Sequence, residues 1–488
     1  MKTAVRPRLV LLDDGLVGSI IDEAFSLLKT HGILVENDEA LKLLGDAGAD
    51  IDVKTQRARL PRELVEACLA STPSEVRLYD RSGEKAFLVG GDEVHFDPGS
   101  TAVTILDPET QAQRKPVTSD LVRLYRLTET LANIHFQSTA LISTDVPHEV
   151  ADAYRLYLGL TEASKPFVTG IFRVESFGPM RDMMAAIRGG ATELAEKPLA
   201  IFDACPSPPL KWSRLTAQSL IEAARAGIPS ELISMGMTGA TSPVTITGTL
   251  VQHTAENLCG LCICQLAKPG APVIFGGCPS SFDMRRGTTP MGAIETMMID
   301  AGYAQVGKAL NLPVHAYMAL SDAKTIDAQA GLETAMGAVM AALAGVNVVS
   351  GPGMLDYVRC QSLEKLVIDD EICGMAYRLI AGITQRDTPM ALEVFSTLGA
   401  DMSFLAHQHT RRWYREEHTM PRLADRETYE TWLDSGKRTM CDRAREDVER
   451  RLTAFEPSPP AADLAGELRN IMTAYARPCG LDGLPSDD

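Results

Sequence analysis

No apolar run in this chain approaches the roughly 20 residues that a membrane span needs. Leu9 to Leu12 is too short for the core of a secretion signal, although Lys2, Arg6 and Arg8 lie nearby. Basic residues are not in excess. The 47 Lys and Arg against 64 Asp and Glu leave a net charge of −17, which argues against a phosphate-backbone partner. The glycine fingerprint GxGxxG after a first strand is missing, as are a Walker loop, a GxSxG elbow and an HExxH pair. Dinucleotide, phosphate-loop, serine-hydrolase and zinc-protease chemistry therefore lack their usual carriers. The expectation is a soluble, cytoplasmic protein with neither a nucleic-acid nor a membrane partner.

A disulfide framework is also missing. The ten cysteines, at 68, 205, 259, 262, 264, 278, 360, 373, 441 and 479, are scattered along a long chain. Cys259, Cys262 and Cys264 form the one cluster. On a helix the first two share a face while the third points elsewhere, so the three do not converge on a metal ion. They read as small packing residues in a reducing compartment, and no metal site is expected.

What the chain does hold is an ordinary globular balance, 45% hydrophobic and 23% charged. The stretch from Leu232 to Gly277 organises the rest. A short apolar run ends in Gly236, a hydroxyl-rich loop MTGATSPVT follows, and a long helical pattern closes at Lys268-Pro269-Gly270. A second apolar run then reaches Gly276 and Gly277. Strand, loop, helix and strand make a βα unit, which requires a parallel sheet. From Thr118 onward this beat repeats. Apolar segments at 134–138, 166–170, 198–204, 231–236, 272–276, 312–318 and 346–350 begin 32 to 41 residues apart, with amphipathic stretches between them. The period predicts a (β/α)8 barrel of the TIM type. Seven strands are visible, and the eighth is expected either in the 77–106 region or near Leu379 to Ile383. A doubly wound open sheet would share the beat.

Three expected helices, Leu16–Lys29, Asp38–Asp46 and Arg62–Leu69, precede antiparallel strand signals in VRLYD, AFLVGG, VHFDPG and TAVTILD. The expected division is 1–118 as an N-terminal cap of helices and antiparallel strands, 119–385 as the barrel, and 386–488 as a helical extension and tail. Trp413, Tyr414, Tyr429 and Trp432 are expected to anchor that extension. A Pro-rich linker and a frayed end are expected beyond it.

In a barrel the strand C-termini face the site. Reading them off gives Phe136, Phe172, Phe202, Asp203, Phe275, His315 and Tyr317. Aromatic faces with a carboxylate are what a quaternary ammonium group needs, since it has no N–H to donate. Gln252 and Glu256, four apart on the helix after the GATSPVT loop, share a face. Asp322 and Gln329 flank the SDAKTIDAQAGLE block. Glu256 and Asp322 are the catalytic candidates, and Gln252 and Gln329 are substrate-binding candidates beside the aromatic set. His407-Gln408-His409 reads as surface or capping histidines.

The segment GMTGATSPVTITGTLVQHTAENLCGLCICQLAKPGAPVIFGG resembles the trimethylamine methyltransferase family, whose pattern there is GATxPVTxxGTLVQxxAExLxGxxxxQLxxPGxPVIxG. SDAKTIDAQAGLE, LLKTHGILV, FDPGSTAVTILDPET and FLAHQHT are similar to the family as well, and the likeness runs from about residue 10 to 455. The resemblance implies a (β/α)8 barrel. It also implies methyl transfer from a methylated amine to the Co(I) of cobalamin carried by a separate corrinoid protein. The cobalt is itself the nucleophile, which accounts for the scarcity of acid–base pairs. No DxHxxG-type corrinoid-ligand loop occurs in this chain. Gly236, Gly239 and Gly276 would let the corrinoid partner approach closely.

The founding trimethylamine enzymes carry pyrrolysine, and this chain has none. Its expected substrate is therefore a quaternary amine of the glycine betaine kind, whose carboxylate would meet N–H groups at the start of the Thr245 helix. A folate-linked methyltransferase of the same fold, or a barrel that only binds betaines, are the rival readings. A homo-oligomer is expected.

Overall fold

The computed structural model describes residues 4–99, 101–399, 402–481 and 483–485. Eight strands form one parallel sheet: β1 (His95–Asp97), β2 (Gln137–Ser138), β3 (Phe167–Gly170), β4 (Ala200–Ala204), β5 (Ser230–Ser234), β6 (Val273–Gly277), β7 (Val314–Ala316) and β8 (Val348–Ser350). Sequence neighbours from β2 to β8 are sheet neighbours. β8 then returns to β1, with Ser350 opposite Asp97. The remaining gap closes through the N–H groups of His135 and Phe136, which both donate to the Phe96 carbonyl at 2.9 and 3.3 Å. The sheet is a barrel and not an open doubly wound layer. Its eighth strand is the three-residue β1, within the 77–106 region, so the barrel begins upstream of residue 119. Leu379 and Ile380 end a helix instead.

Each strand is followed by a helix: α1 (Thr118–Glu129), α2 (Ala151–Glu162), α3 (Val174–Arg188), α4 (Arg214–Ala226), α5 (Ile246–Ala267), α6 (Ile294–Ala309), α7 (Ala328–Ala344) and α8 (Leu363–Ile380). α5 is buried on all sides from Thr249 to Gln265. Helices Asp14–Thr30 and Arg62–Ser71 cover its outer face while β5 and β6 take the inner one. That double burial explains why its sequence is apolar all round instead of striped. Cys259, Cys262 and Cys264 lie inside this packing, with Cys68 beside Cys262.

The bottom of the barrel is plugged. Strands Glu75–Tyr79 and Ala86–Gly90 pair antiparallel. Their alternate residues Val76, Leu78, Phe87 and Val89 join Phe136, Val168, Ile201, Ile274 and Val348 in one apolar cluster. Burying each large apolar side chain contributes about 1.5–3 kcal/mol. The plug leaves the opposite, C-terminal end of the strands as the open one.

The C-terminal segment departs from the sequence reading. Of the expected anchors, Trp413 is buried and its indole N–H donates to Asp387 at 2.7 Å, whereas Tyr414 and Tyr429 are exposed. Docking rests instead on helix Met440–Ala454, which packs against α8 through Ala444 and Val448. Past the Pro-rich stretch the chain is not simply frayed. Helix Ala462–Ala476 lies on α2 and α3, burying Leu468, Met472 and Ala476.

Candidate active site

The period of two along each strand decides what faces the barrel axis. Ile201, Ile274 and Val348 point into the apolar plug. Two residues further on, Asp203, Gly276 and Ser350 therefore point inward one layer higher. Phe202 and Phe275 take the opposite parity and face the helices. Phe202 meets Phe177 of α3 edge-on, and Phe275 packs against His253 and Tyr303 of α5 and α6. Phe136 belongs to the plug. Three of the rings expected around the substrate are thus core residues.

Above the plug the axis is polar. Ser350 donates to Asp97 at 2.6 Å, and His315 Nε2 lies 3.1 Å from the Ser350 hydroxyl. His315 Nδ1 is 3.8 Å from Glu231, which stands opposite Asp203 across the β4–β5 ladder. Both oxygens of Glu231 and Oδ1 of Asp203 are buried without a conventional donor among the described residues. The two carboxyls are left to bond to one another, which requires a proton between them. Burial raises Asp203 to about 7. Burial, followed by the negative charge of Asp203, holds Glu231 well above the carboxylate range. Burial lowers His315 to about 3, so the ring is neutral. A side chain at Gly276 would collide with the His315 ring. The bare glycine, held on both sides by the Asn257 amide at 3.0 and 3.1 Å, makes room for this network.

A cavity of about 630 Å3 opens over this layer at the strand C-termini. Gly170, Phe172, Asp203, Ile233, Met235, Met237, Met291, Tyr317, Tyr357 and Val358 line it, together with Arg155 reaching in from α2. A larger surface groove of about 980 Å3 lies between α8 and residues 417–426, and no inward barrel residue lines it. Tyr357 and Val358 sit on a turn in which Asp356, Tyr357 and Val358 all have positive φ, at 50°, 57° and 65°. Left-handed backbone disfavours residues with a Cβ, so three in succession mark stored strain beside the cavity.

Two expected site residues, Phe172 and Tyr317, join Asp203 on the cavity wall, and His315 lies in the buried layer linked to it. Glu256 is wholly buried behind β5. It accepts from Leu210 N–H at 2.8 Å, Ser234 at 2.5 Å and Gln252 at 3.0 Å, while Gln252 also donates to the Thr241 carbonyl. These two side chains fix the loop after β5 and do not line the cavity. Asp322 accepts the N–H groups of Met291 and Gly292, each at 2.9 Å, which holds Met291 on the cavity wall. Gln329 is exposed and donates to Glu333. Gly236 and Gly239 lie in the loop at the mouth, where Gly239 takes a φ of +81° at an exposed position. Gly276 is buried inside the barrel. His407 caps helix Gln408–Glu417.

Sequence reading missed Arg155, Glu231 and Tyr357. Glu231 did carry a signal, a lone carboxylate inside the apolar strand SELIS, which demands a partner. Arg155 and Tyr357 reach the site from a helix and a late loop, and nothing local to them announces it.

A closed (β/α)8 barrel with a plugged bottom and an acid-lined cavity at the strand C-termini has the architecture of a barrel enzyme. The trimethylamine methyltransferase (MTTB) family pattern matches residues 2–477. The trimethylamine methyltransferase MttB of Desulfitobacterium hafniense is 32% identical over 465 residues, 94% of each chain. A glycine betaine methyltransferase of the same species is 31% identical over 459 residues, covering 94% of this chain and 95% of that one. Among solved structures, the monomethylamine methyltransferase MtmB of Methanosarcina barkeri superposes with a TM-score of 0.54 at 12% identity, over 92% and 89% of the two chains, and shares the fold. The chain belongs to the trimethylamine methyltransferase family and is a methyltransferase. Among the described residues no helix is long and apolar enough to cross a membrane.

Proposed function

We propose that this methyltransferase takes a methyl group from a quaternary amine and delivers it to the corrinoid of a separate protein docked at the barrel mouth. The observation that carries the reading is the Asp203–Glu231 pair, whose Asp203 reaches a cavity that also offers thioethers, aliphatic groups and the rings of Tyr317 and Tyr357. A quaternary nitrogen offers no hydrogen-bond donor. It is held by a carboxylate and by aromatic and thioether surfaces, at about 0.5–2 kcal/mol per aromatic contact. With one proton shared between them, the two carboxyls carry the single negative charge that attracts it. The similarity to a glycine betaine methyltransferase supports the same substrate class.

The corrinoid, when docked, would supply the cobalt nucleophile to which the methyl group passes. This chain binds the amine at Asp203, excludes water with Met235, Met237 and Met291, and leaves the nitrogen's methyl groups directed to the open end. The amine departs as a neutral tertiary amine, so no acid is needed to expel it. Exposed Gly239 and Ala240 keep the rim low where a bulky partner must approach.

The test is methylation of chemically reduced cobalamin, followed spectroscopically, with glycine betaine, proline betaine, carnitine and trimethylamine as donors. Turnover with one or more quaternary donors supports the reading. Turnover of trimethylamine alone overturns it. Silence with every donor moves the function to binding or to another methylated amine.

A further inference from the structure

Arg155 is 1% exposed and still reaches the mouth cavity. Its Nη1 donates to the Thr139 carbonyl at 2.6 Å and to Thr101 Oγ1 at 3.3 Å, whereas its Nε–H is buried without a partner among the described residues. The guanidinium carbon sits 4.5 Å over the Phe172 ring, which also stacks with His148 at 5.7 Å. Phe172 is itself pinned, because its N–H donates to Asp152 at 2.6 Å, and Asp152 also accepts from Ser176. Already engaged by a guanidinium and an imidazole, Phe172 serves as the platform for Arg155. No carboxylate among the described residues lies within 4.0 Å of the guanidinium. Arginine does not shed its proton, so this is a clamped, buried cation that feels Asp152 and Asp203 at a distance and touches no carboxylate among the described residues.

We propose that Arg155 anchors a carboxylate on the substrate, so that the site takes a zwitterionic betaine and not a bare alkylammonium. This rests on the ammonium reading of the same cavity. The cavity then has two poles, Asp203 for the cationic end and Arg155 for the anionic end, each within the field of the other. A guanidinium fixed by a ring below and two oxygens at one nitrogen presents its remaining N–H groups in the fork that suits a carboxylate. The start of α5, the other candidate anion site, faces a different space. The Thr245 hydroxyl accepts the Gly248 N–H, and Pro243 and Gly248 line a different pocket beside Glu23 and His31.

Calorimetric titration of the intact protein tests this with four probes: glycine betaine, its methyl ester, choline, and tert-butylacetate, the last keeping the carboxylate but replacing nitrogen by carbon. The wild type should bind glycine betaine at least tenfold more tightly than the ester or choline, and R155Q should bind all three alike. R155K, which keeps the charge without the fork, should fall between. If R155Q does not fold, judged by its melting curve, the wild-type series and R155K decide. Choline or the ester binding as well as glycine betaine, or R155Q keeping the preference, would overturn the role of Arg155 and leave the ammonium reading standing. Tert-butylacetate matching glycine betaine would overturn the ammonium reading and leave Arg155 standing. Binding by none of the four overturns both.

Discussion

Asp203 and Glu231 face each other across the β4–β5 ladder, Glu231 wholly buried and Asp203 half-buried, and only Asp203 reaches the cavity. A carboxyl pair in this position is a charge switch. With both carboxyls protonated, the pair is neutral and attracts a cation weakly. With a single proton left between them, it carries the one negative charge that a quaternary ammonium needs.

The pH dependence of binding follows. Asp203 titrates at about 7, above the ordinary range because of burial. A cationic ligand favours the ionised form, so affinity should rise with pH through about 7. At pH 6 glycine betaine should bind about tenfold more weakly than at pH 8, since each unit below the pKa costs a factor of ten in the ionised fraction. Stability runs the other way. The folded state holds this proton more tightly than the unfolded chain does, so the contribution is present below about 4 and is lost as pH rises through about 7. Calorimetry in buffers of different ionisation enthalpy should record proton release on binding near pH 7. A dissociation constant flat from pH 6 to 8 would remove the switch.

The neighbouring Gly276 sets up a packing test. An added Cβ would stand 2.9 Å from His315 Cβ and 3.1 Å from its carbonyl oxygen, in a strand with little freedom to yield. G276A should cost about 1–3 kcal/mol, the usual penalty for overpacking. Denaturant titration reads the loss. A single variant as stable as the wild type would show that the layer tolerates repacking.

Much of the barrel was legible because the βα period survives in composition, and each of the seven apolar segments overlaps a strand. β1 was hidden because HFD is three residues long and lies among antiparallel signals. The candidate site was less legible, for a reason the strands make plain. A run such as AIFDA marks the strand but not its facing, and one step of register separates Phe202, against α3, from Asp203, at the cavity. Arg155 sits within ADAYRLYLGL, where only the tertiary fold brings it to Phe172.

Glu256 and Asp322, alike as buried carboxylates in sequence, should behave differently on substitution. E256A strips the acceptor from three donors behind β5 and should cost about 3 kcal/mol or more, because each buried unmet donor is worth about 1–3. Activity per folded molecule should change less than the melting temperature. D322N keeps one acceptor oxygen for Met291 and Gly292, so it should fold while loosening the wall that Met291 forms. Its KM should rise severalfold with a small change in melting temperature. Equal losses in both measurements for both variants would erase the distinction.

The turn at Asp356-Tyr357-Val358 offers the sharpest backbone test. Its left-handed conformation is imposed from outside. Asp356 N–H donates to the Ala323 carbonyl at 3.0 Å, Lys324 pairs with Asp356 at 3.1 Å, and the Lys324 ammonium lies 3.9 Å over the Tyr357 ring. A β-branched residue with φ of 65° is the most strained of the three. Glycine is ordinarily worse than alanine by about 0.5–1 kcal/mol because it loses more backbone entropy on folding. At Val358 the order should invert. V358A keeps the left-handed penalty and loses the valine contacts, whereas V358G loses the same contacts and sheds the penalty, about 1–2 kcal/mol. V358G should therefore be the more stable of the two by about 1 kcal/mol in denaturant titration. Both should bind substrate more weakly, since Val358 lines the cavity, and V358G the more so because its turn is freer to open. Alanine proving the more stable would mean that the turn relaxes in solution and stores no strain at the cavity mouth.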